Sequence, residues 1–257
     1  MNNTSPFELS FSGLQLDNFN FINLMIIMPE NRSLLTLDLS RKNLEDSEAR
    51  QIADMLKVNK KLRRLELEGN FFGPEACKFF AEALKVNKSL KYLDLENNKL
   101  TNQGEDDSGI IEIFKSLETN KTLISLNLNN NYLTTLCGHA ICECLRENQT
   151  LIHLDVMTNQ RFISKKNERV NEDGDSKYVT HGLNLMQLEE IKDKLAENKI
   201  VFEQMRKEEW KERKKMNVED GEVTNVANYF SHLKYFFSFF FIFFCFFLLF
   251  FAFFCFF

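Results

Sequence analysis

Between Leu34 and Phe162 one spacing of apolar residues returns five times: Leu34, Leu37, Leu39; Leu62, Leu65, Leu67; Leu90, Leu93, Leu95; Leu123, Leu126, Leu128; Leu151, Leu154, Val156. The opening members stand 28, 28, 33 and 28 residues apart. A fixed period in this range predicts a solenoid, in which each unit buries its apolar face only against its neighbours. The last two members of each triplet are two apart, as on one face of a strand. Each of the first four triplets is followed by apolar or small residues at offsets of 3, 1 and 3: Ala49, Ile52, Ala53, Leu56; Cys77, Phe80, Ala81, Leu84; Ile110, Ile113, Phe114, Leu117; Gly138, Ile141, Cys142, Leu145. Those offsets fall on one helical face, so a unit reads as one strand and one helix.

Two polar positions recur in the same register. Asn70, Asn98, Asn131 and Asn159 fill the asparagine of the template L-x-x-L-x-L-x-x-N-x-L, with Lys42 in that place in the first unit. Asn31, Asn59, Asn87, Asn120 and Asn148 stand three residues before each opening leucine. Asparagine tolerates the left-handed backbone that ends many helices, so these five are expected as C-terminal caps in that conformation. Four of them lie in Asn-x-Ser/Thr sequons, which the repeat register explains better than glycosylation.

The stretches Met55-Leu-Lys-Val-Asn-Lys-Lys-Leu62 and Gly73-Pro-Glu-Ala-Cys-Lys-Phe-Phe-Ala-Glu-Ala-Leu-Lys-Val-Asn-Lys-Ser-Leu90 resemble the 28-residue leucine-rich repeat of the ribonuclease-inhibitor type. That group includes ribonuclease inhibitors, the sensor arrays of NOD-like receptors, tropomodulins and axonemal proteins. The resemblance implies an α/β solenoid, with parallel strands on the concave side and helices on the convex side. It implies no chemistry, because these families share a surface rather than a reaction.

The remaining pattern divides the chain. Residues 1–33 are expected as an N-terminal cap or partial repeat, with Phe11, Leu14 and Leu16 in the leucine spacing and a short helix from Leu24 to Met28. Residues 34–162 are the repeats, and 163–184 a polar linker in which Glu-Asp-Gly-Asp at 172–175 reads as a turn. Residues 185–217 form a long charged helix, with Leu188, Leu195 and Phe202 seven apart and Ile191 and Met205 at the matching offset. This short seam, interrupted by Asn198 and Glu209, would serve a coiled coil, a partner or the last repeat; the charged last half favours a partner. A linker follows at 218–234.

Tyr235 to Phe257 is a hydrophobic tail without a charge, and 15 of its 23 residues are Phe. It is long enough to cross a bilayer as a tail anchor, and its content equally fits translation of a thymine-rich tract.

In each strand the residues between the leucines point away from the core, and stacking turns them into columns about 4.8 Å per rung. One column is Thr36, Arg64, Tyr92, Ser125, His153; the middle one Asp38, Glu66, Asp94, Asn127, Asp155; the third Ser40, Glu68, Glu96, Asn129, Met157. The expected partner-binding residues are Arg64, Glu66, Glu68, Tyr92, Asp94, Glu96, Asn127, Asn129, His153 and Asp155, facing a protein partner with a basic segment.

Composition narrows the function further. A net charge of -5 gives no reason to expect nucleic acid. The N-terminus lacks a basic stretch followed by an apolar run, so a cytoplasmic start is expected, with the cytoskeleton or cilium as further addresses and a membrane if the tail is genuine. No phosphate loop, serine elbow or metal-ligand spacing occurs, so the chain is expected to be neither an enzyme nor a cofactor binder. Cys137, Cys142 and Cys144 do not converge on one tetrahedral centre and read as buried thiols. The insertion at Thr101 to Ser108 in the third repeat holds Glu105, Asp106 and Asp107, a loop either solvated or offered to a partner.

Overall fold

The computed structural model describes residues 7–156, 159, 161–162 and 180–219, with backbone only at 161–162, 180–181 and 213–219. Met157, residues 163–179 of the polar linker with the turn at 172–175, and the tail at Tyr235 to Phe257 lie outside the described residues. One parallel sheet runs in chain order through β1 (Glu8–Ser10), β2 (Thr36–Asp38), β3 (Arg64–Glu66), β4 (Tyr92–Asp94), β5 (Ser125–Asn127) and β6 (His153–Asp155). Parallel neighbours need a crossover between them. It is supplied by α1 (Asn18–Ile27), α2 (Asp46–Val58), α3 (Pro74–Val86), α4 (Ser108–Thr119) and α5 (Thr135–Glu147). A small antiparallel pair, β7 (Arg161–Phe162) with β8 (Thr180–His181), precedes α6 (Leu185–Glu219).

Strands three residues long persist because their central leucines, Leu37, Leu65, Leu93, Leu126 and Leu154, are buried and stacked in register. Each such side chain contributes roughly 1.5–3 kcal/mol relative to exposure. The helical face expected from the sequence is buried against them. The helices also start where local chemistry supplies partners for their free N–H groups. Glu45 and Glu48 form a capping box on α2, Gly73 with Pro74 opens α3, and the Thr134 hydroxyl accepts from Leu136 N on α5.

The N-terminal unit is in a different register from the one its leucines predict. Leu9 pairs with Leu37, so the 28-residue offset continues back and Phe21, Leu24, Met25 and Met28 supply the helical face. Phe11, Leu14 and Leu16 follow the strand instead of forming it, and α1 is a ten-residue helix. Their leucine-like spacing misleads because Pro6 stands where a leucine opens every other unit.

Both asparagine series are buried ladders. Asn70, Asn98, Asn131 and Asn159 each accept backbone N–H groups of the preceding unit, as with Lys42 N at 2.9 Å and Leu44 N at 3.1 Å on Asn70 Oδ1. Their Nδ2 groups donate to strand carbonyls. Asn59, Asn87, Asn120 and Asn148 do cap helices, but with φ from -64 to -88° and ψ from 115 to 129°, extended rather than left-handed. The extended backbone lets Oδ1 accept from the N–H groups two and three residues on while Nδ2 reaches back to the preceding helix end. Left-handed residues instead mark the strand exit, at Arg41, Gly69, Asn97 and Asn130. With Asn87, Asn120 and Asn148 buried and their Nδ2 atoms donating, the sequon reading has no accessible amide at those positions.

Helix α6 closes the second ladder. Asn198 Nδ2 donates to Asn148 O and Leu151 O, both at 2.8 Å, so the residue that breaks the heptad seam occupies the rung of a further repeat. Gln187 donates to Thr135 O at 2.9 Å and lies over Gly138, where a Cβ would come within 2.4 Å of its Oε1. Ile191 and Leu183 are buried, Leu188 and Leu195 pack partly against the core, and Arg146 pairs with Glu190 at 2.9 Å. Leu188, Ile191 and Leu195 of the seam therefore meet the solenoid of their own chain, and the coiled-coil expectation finds no support there. The described residues up to Glu203 form one compact unit; from Gln204 the chain belongs to a second, in which Met205 and Trp210 are exposed.

Insertion 101–108 is pinned rather than loose. Thr101 is buried and donates to Asn131 O or Tyr132 O, while Asp107 accepts from Thr134 Oγ1 at 2.6 Å and from the Cys137 thiol at 3.0 Å. The four described cysteines are free and buried. Burial pushes the thiols of Cys142 and Cys144 up to about 11 and about 12, and those of Cys77 and Cys137 further, so they are protonated at neutral pH. Among the described residues no His, Cys, Asp and Glu cluster could hold a metal ion. Nor is any described helix long and apolar enough to cross a membrane.

Candidate interaction surface

The strand register aligns the outward columns as the spacing predicts: Thr36, Arg64, Tyr92, Ser125 and His153 in one, Asp38, Glu66, Asp94, Asn127 and Asp155 in the next. The structure extends both by one rung, through Glu8 and Ser10 on β1. Arg64, Glu66, Glu68, Tyr92, Asp94, Glu96, Asn127 and Asn129 come together across β3 to β5, while His153 and Asp155 stand exposed on the last strand. Met157 lies outside the described residues.

Several side chains on this face are held by neighbours on the same surface, whereas the buried Asn129 Oδ1 has no hydrogen-bond partner among the described residues. The Arg64 guanidinium carbon lies 4.4 Å from the Tyr92 ring centroid, with Arg64 Nη1 3.7 Å from Glu66 Oε1. Asn127 Nδ2 donates to Asp94 Oδ2 at 3.1 Å and Glu96 Oε2 at 2.8 Å. The Oδ1 atoms of Asp38, Asp94 and Asn127 accept from the N–H two residues on, which fixes the strand exits. Aspartate between the strand leucines is thus partly a turn-forming device.

Arg41 is the residue that sequence reasoning missed. Its Nη2 lies 2.6 Å from Glu68 Oε1, so Glu68 is paired with the turn before it. The signal was available, because Arg41 stands 28 residues before Gly69 at the left-handed turn that follows each strand. Ser10 likewise holds Asp38 Oδ2 at 2.5 Å.

The carboxylates divide by environment. Burial alone would raise Asp38, but hydrogen bonds from Ser10 and Ser40 and the charge of Lys42 outweigh it and leave its pKa lowered. Glu66 is raised, first by burial and then by Asp38, with Asp94 and Glu8 adding to this against Arg64. Asp94 is raised by burial, with Glu96 and Glu68 adding to it against the hydrogen bonds from Glu96 N and Asn127. Glu66 and Asp94 are therefore like charges crowded in a partly desolvated column, where an added cation lowers the free energy. The surface presents negative charge, and among the described residues it forms no nucleophile–base or metal constellation.

Residues 86–104 match the family Leucine Rich repeat. No match was found among the curated proteins. Among solved structures, leiomodin-1 Actin-Binding Site 2 (ABS2) is similar at 18% identity over 77% of this chain and 99% of that one, with a TM-score of 0.61. The tropomodulin C-terminal domain of Caenorhabditis elegans aligns at 19% identity over 57% of this chain and 86% of that one, with a TM-score of 0.46. At such identity the likeness to leiomodin-1 is one of fold. The matched segment is a leucine-rich repeat, and the architecture is a leucine-rich-repeat-like α/β solenoid.

Proposed function

We propose that this chain is a non-enzymatic protein-interaction scaffold that receives a basic segment of a protein partner on its concave face. The observation that carries the reading is the crowding of Glu66 and Asp94, both held above their ordinary pKa range by burial and neighbouring carboxylates. A lysine or arginine placed over the column relieves that repulsion, and Tyr92, already stacked on Arg64, offers a rigid contact beside it. Neutral rungs at Asn127 and Asn129 bound the acidic stretch and set the register of the bound segment.

The cytoskeletal reading is the more specific form of the same proposal. Leiomodin-1 Actin-Binding Site 2 aligns over nearly its whole length with this fold, which makes actin the first partner to try and a cytoplasmic, filament-associated location the corresponding expectation. Binding of the full chain to filamentous and monomeric actin, and to a lysine-rich peptide, tests both levels. Glu66→Lys with Glu96→Lys is expected to weaken binding by roughly tenfold or more. Peptide binding without actin binding removes the cytoskeletal form alone; wild-type affinity in the charge-reversed variant removes the concave-face proposal.

A further inference from the structure

The edge where each helix returns to the next strand carries charge of the opposite sign. In residues 57–63 and 85–91, seven of 14 residues are Lys or Arg and none is acidic. Arg32 and Lys121 continue the same register in the flanking turns. Lys57 is held by Asp54 and Glu82, but Lys60, Lys61 and Lys88 are exposed and form no ion pair among the described residues. The last residues of α2 and α3, Val58 and Val86, stand among these lysines and are 48% and 55% exposed.

Spacing and flanking charge limit what could lie there. Packed helices stand about 8–10 Å apart, so Val58 and Val86 repeat at about that distance along the edge. A bound α-helix presents equivalent side chains every seven residues, about 10.5 Å, and so can set one apolar residue on each valine and acids between the lysines. The strip is bounded by acidic groups on both sides, Glu66 and Asp94 on the concave face and Asp54, Glu82 and Glu112 on the helices. A bilayer surface or a nucleic-acid duplex is broad enough to meet those acids; a single helix is not.

We infer that this edge is a second docking surface, one helix wide, for an acidic amphipathic helix of a protein partner. It is distinct from the concave face and selects the opposite charge.

Binding of the full chain to a side-chain-stapled peptide of about two heptads, with two leucines seven residues apart among glutamates, tests this by fluorescence anisotropy. Lys60→Glu with Lys88→Glu should weaken binding roughly tenfold, and Val58→Ser with Val86→Ser several-fold, because both pairs are exposed and their loss leaves the fold intact. Glu66→Lys with Glu96→Lys should not weaken it. The inference is overturned if the wild-type chain does not bind, or if the lysine reversals have no effect. It is equally overturned if the concave variant loses the same affinity, or if a leucine-free glutamate peptide, phosphatidylserine vesicles or duplex DNA bind as well.

Discussion

Asn87→Ala probes the ladder on which the stacking of repeats depends. The Asn87 side chain is 3% exposed and makes four main-chain hydrogen bonds: Oδ1 accepts from Ser89 N at 2.9 Å and Leu90 N at 2.8 Å, and Nδ2 donates to Leu56 O at 2.7 Å and Asn59 O at 3.2 Å. Alanine removes all four and leaves two N–H groups and two carbonyls in the interior. At about 1 kcal/mol net for each bond, with some return from water entering the vacated space, the expected loss is about 3–4 kcal/mol. That is a large part of the 5–15 kcal/mol typical of a folded domain. Adjacent Lys88→Ala, exposed and unpaired, should change stability by no more than about 0.5 kcal/mol. Urea unfolding followed by circular dichroism compares the two, and hydrogen exchange locates the loss at the turns that end the first and second units. A destabilisation under about 1 kcal/mol for Asn87→Ala would refute the claim that these asparagines fasten one unit to the next.

The same reasoning extends to other sites. Asn198→Ala loses two bonds at the solenoid end and should cost about 2 kcal/mol, with faster amide exchange in α5 and β6; unchanged exchange there would reject the capping role of α6. Gly109→Ala places a Cβ 2.3 Å from Pro74 O and 2.7 Å from Cys77 Cβ, forcing α3 and α4 apart at a cost of about 3 kcal/mol; a wild-type denaturation midpoint would contradict that packing. Because the Glu66 pKa is raised in the folded state, that state binds the proton more tightly than the unfolded chain, so this group's contribution falls as pH rises through the window above 4.5. Glu66→Gln should therefore gain on the wild type between about pH 4 and about pH 7, and a pH-independent difference would argue against the crowding.

The period of the leucines was enough to place β2 to β6, α2 to α5 and the two outward columns that the strand register aligns, because a repeat buries the same positions each time. Where the period was masked, at Pro6, the local spacing of Phe11, Leu14 and Leu16 pointed to the wrong strand. Asn198 shows the limit from the other side: as a break in a heptad it counts against a coiled coil, and its purpose emerges only when Asn148 O is beside it. The acidic columns were legible as composition, but the pairing of Glu68 with Arg41 depends on a left-handed turn whose side chain reaches forward across one rung. Asp107 likewise looked like a solvated loop charge until Thr134 and Cys137 of the next unit met it.

The two asparagine ladders also make the array extensible. Each interior unit offers its neighbours the same donors and acceptors at both junctions, and the five extra residues of the third unit fall clear of the ladder atoms. A duplicated 28-residue segment, such as a second copy of residues 60–87 inserted after Asn87, would present to each side the amides and carbonyls already expected there. Solenoid length in this chain is thus a free variable, and the reach of its concave face can be engineered one rung at a time.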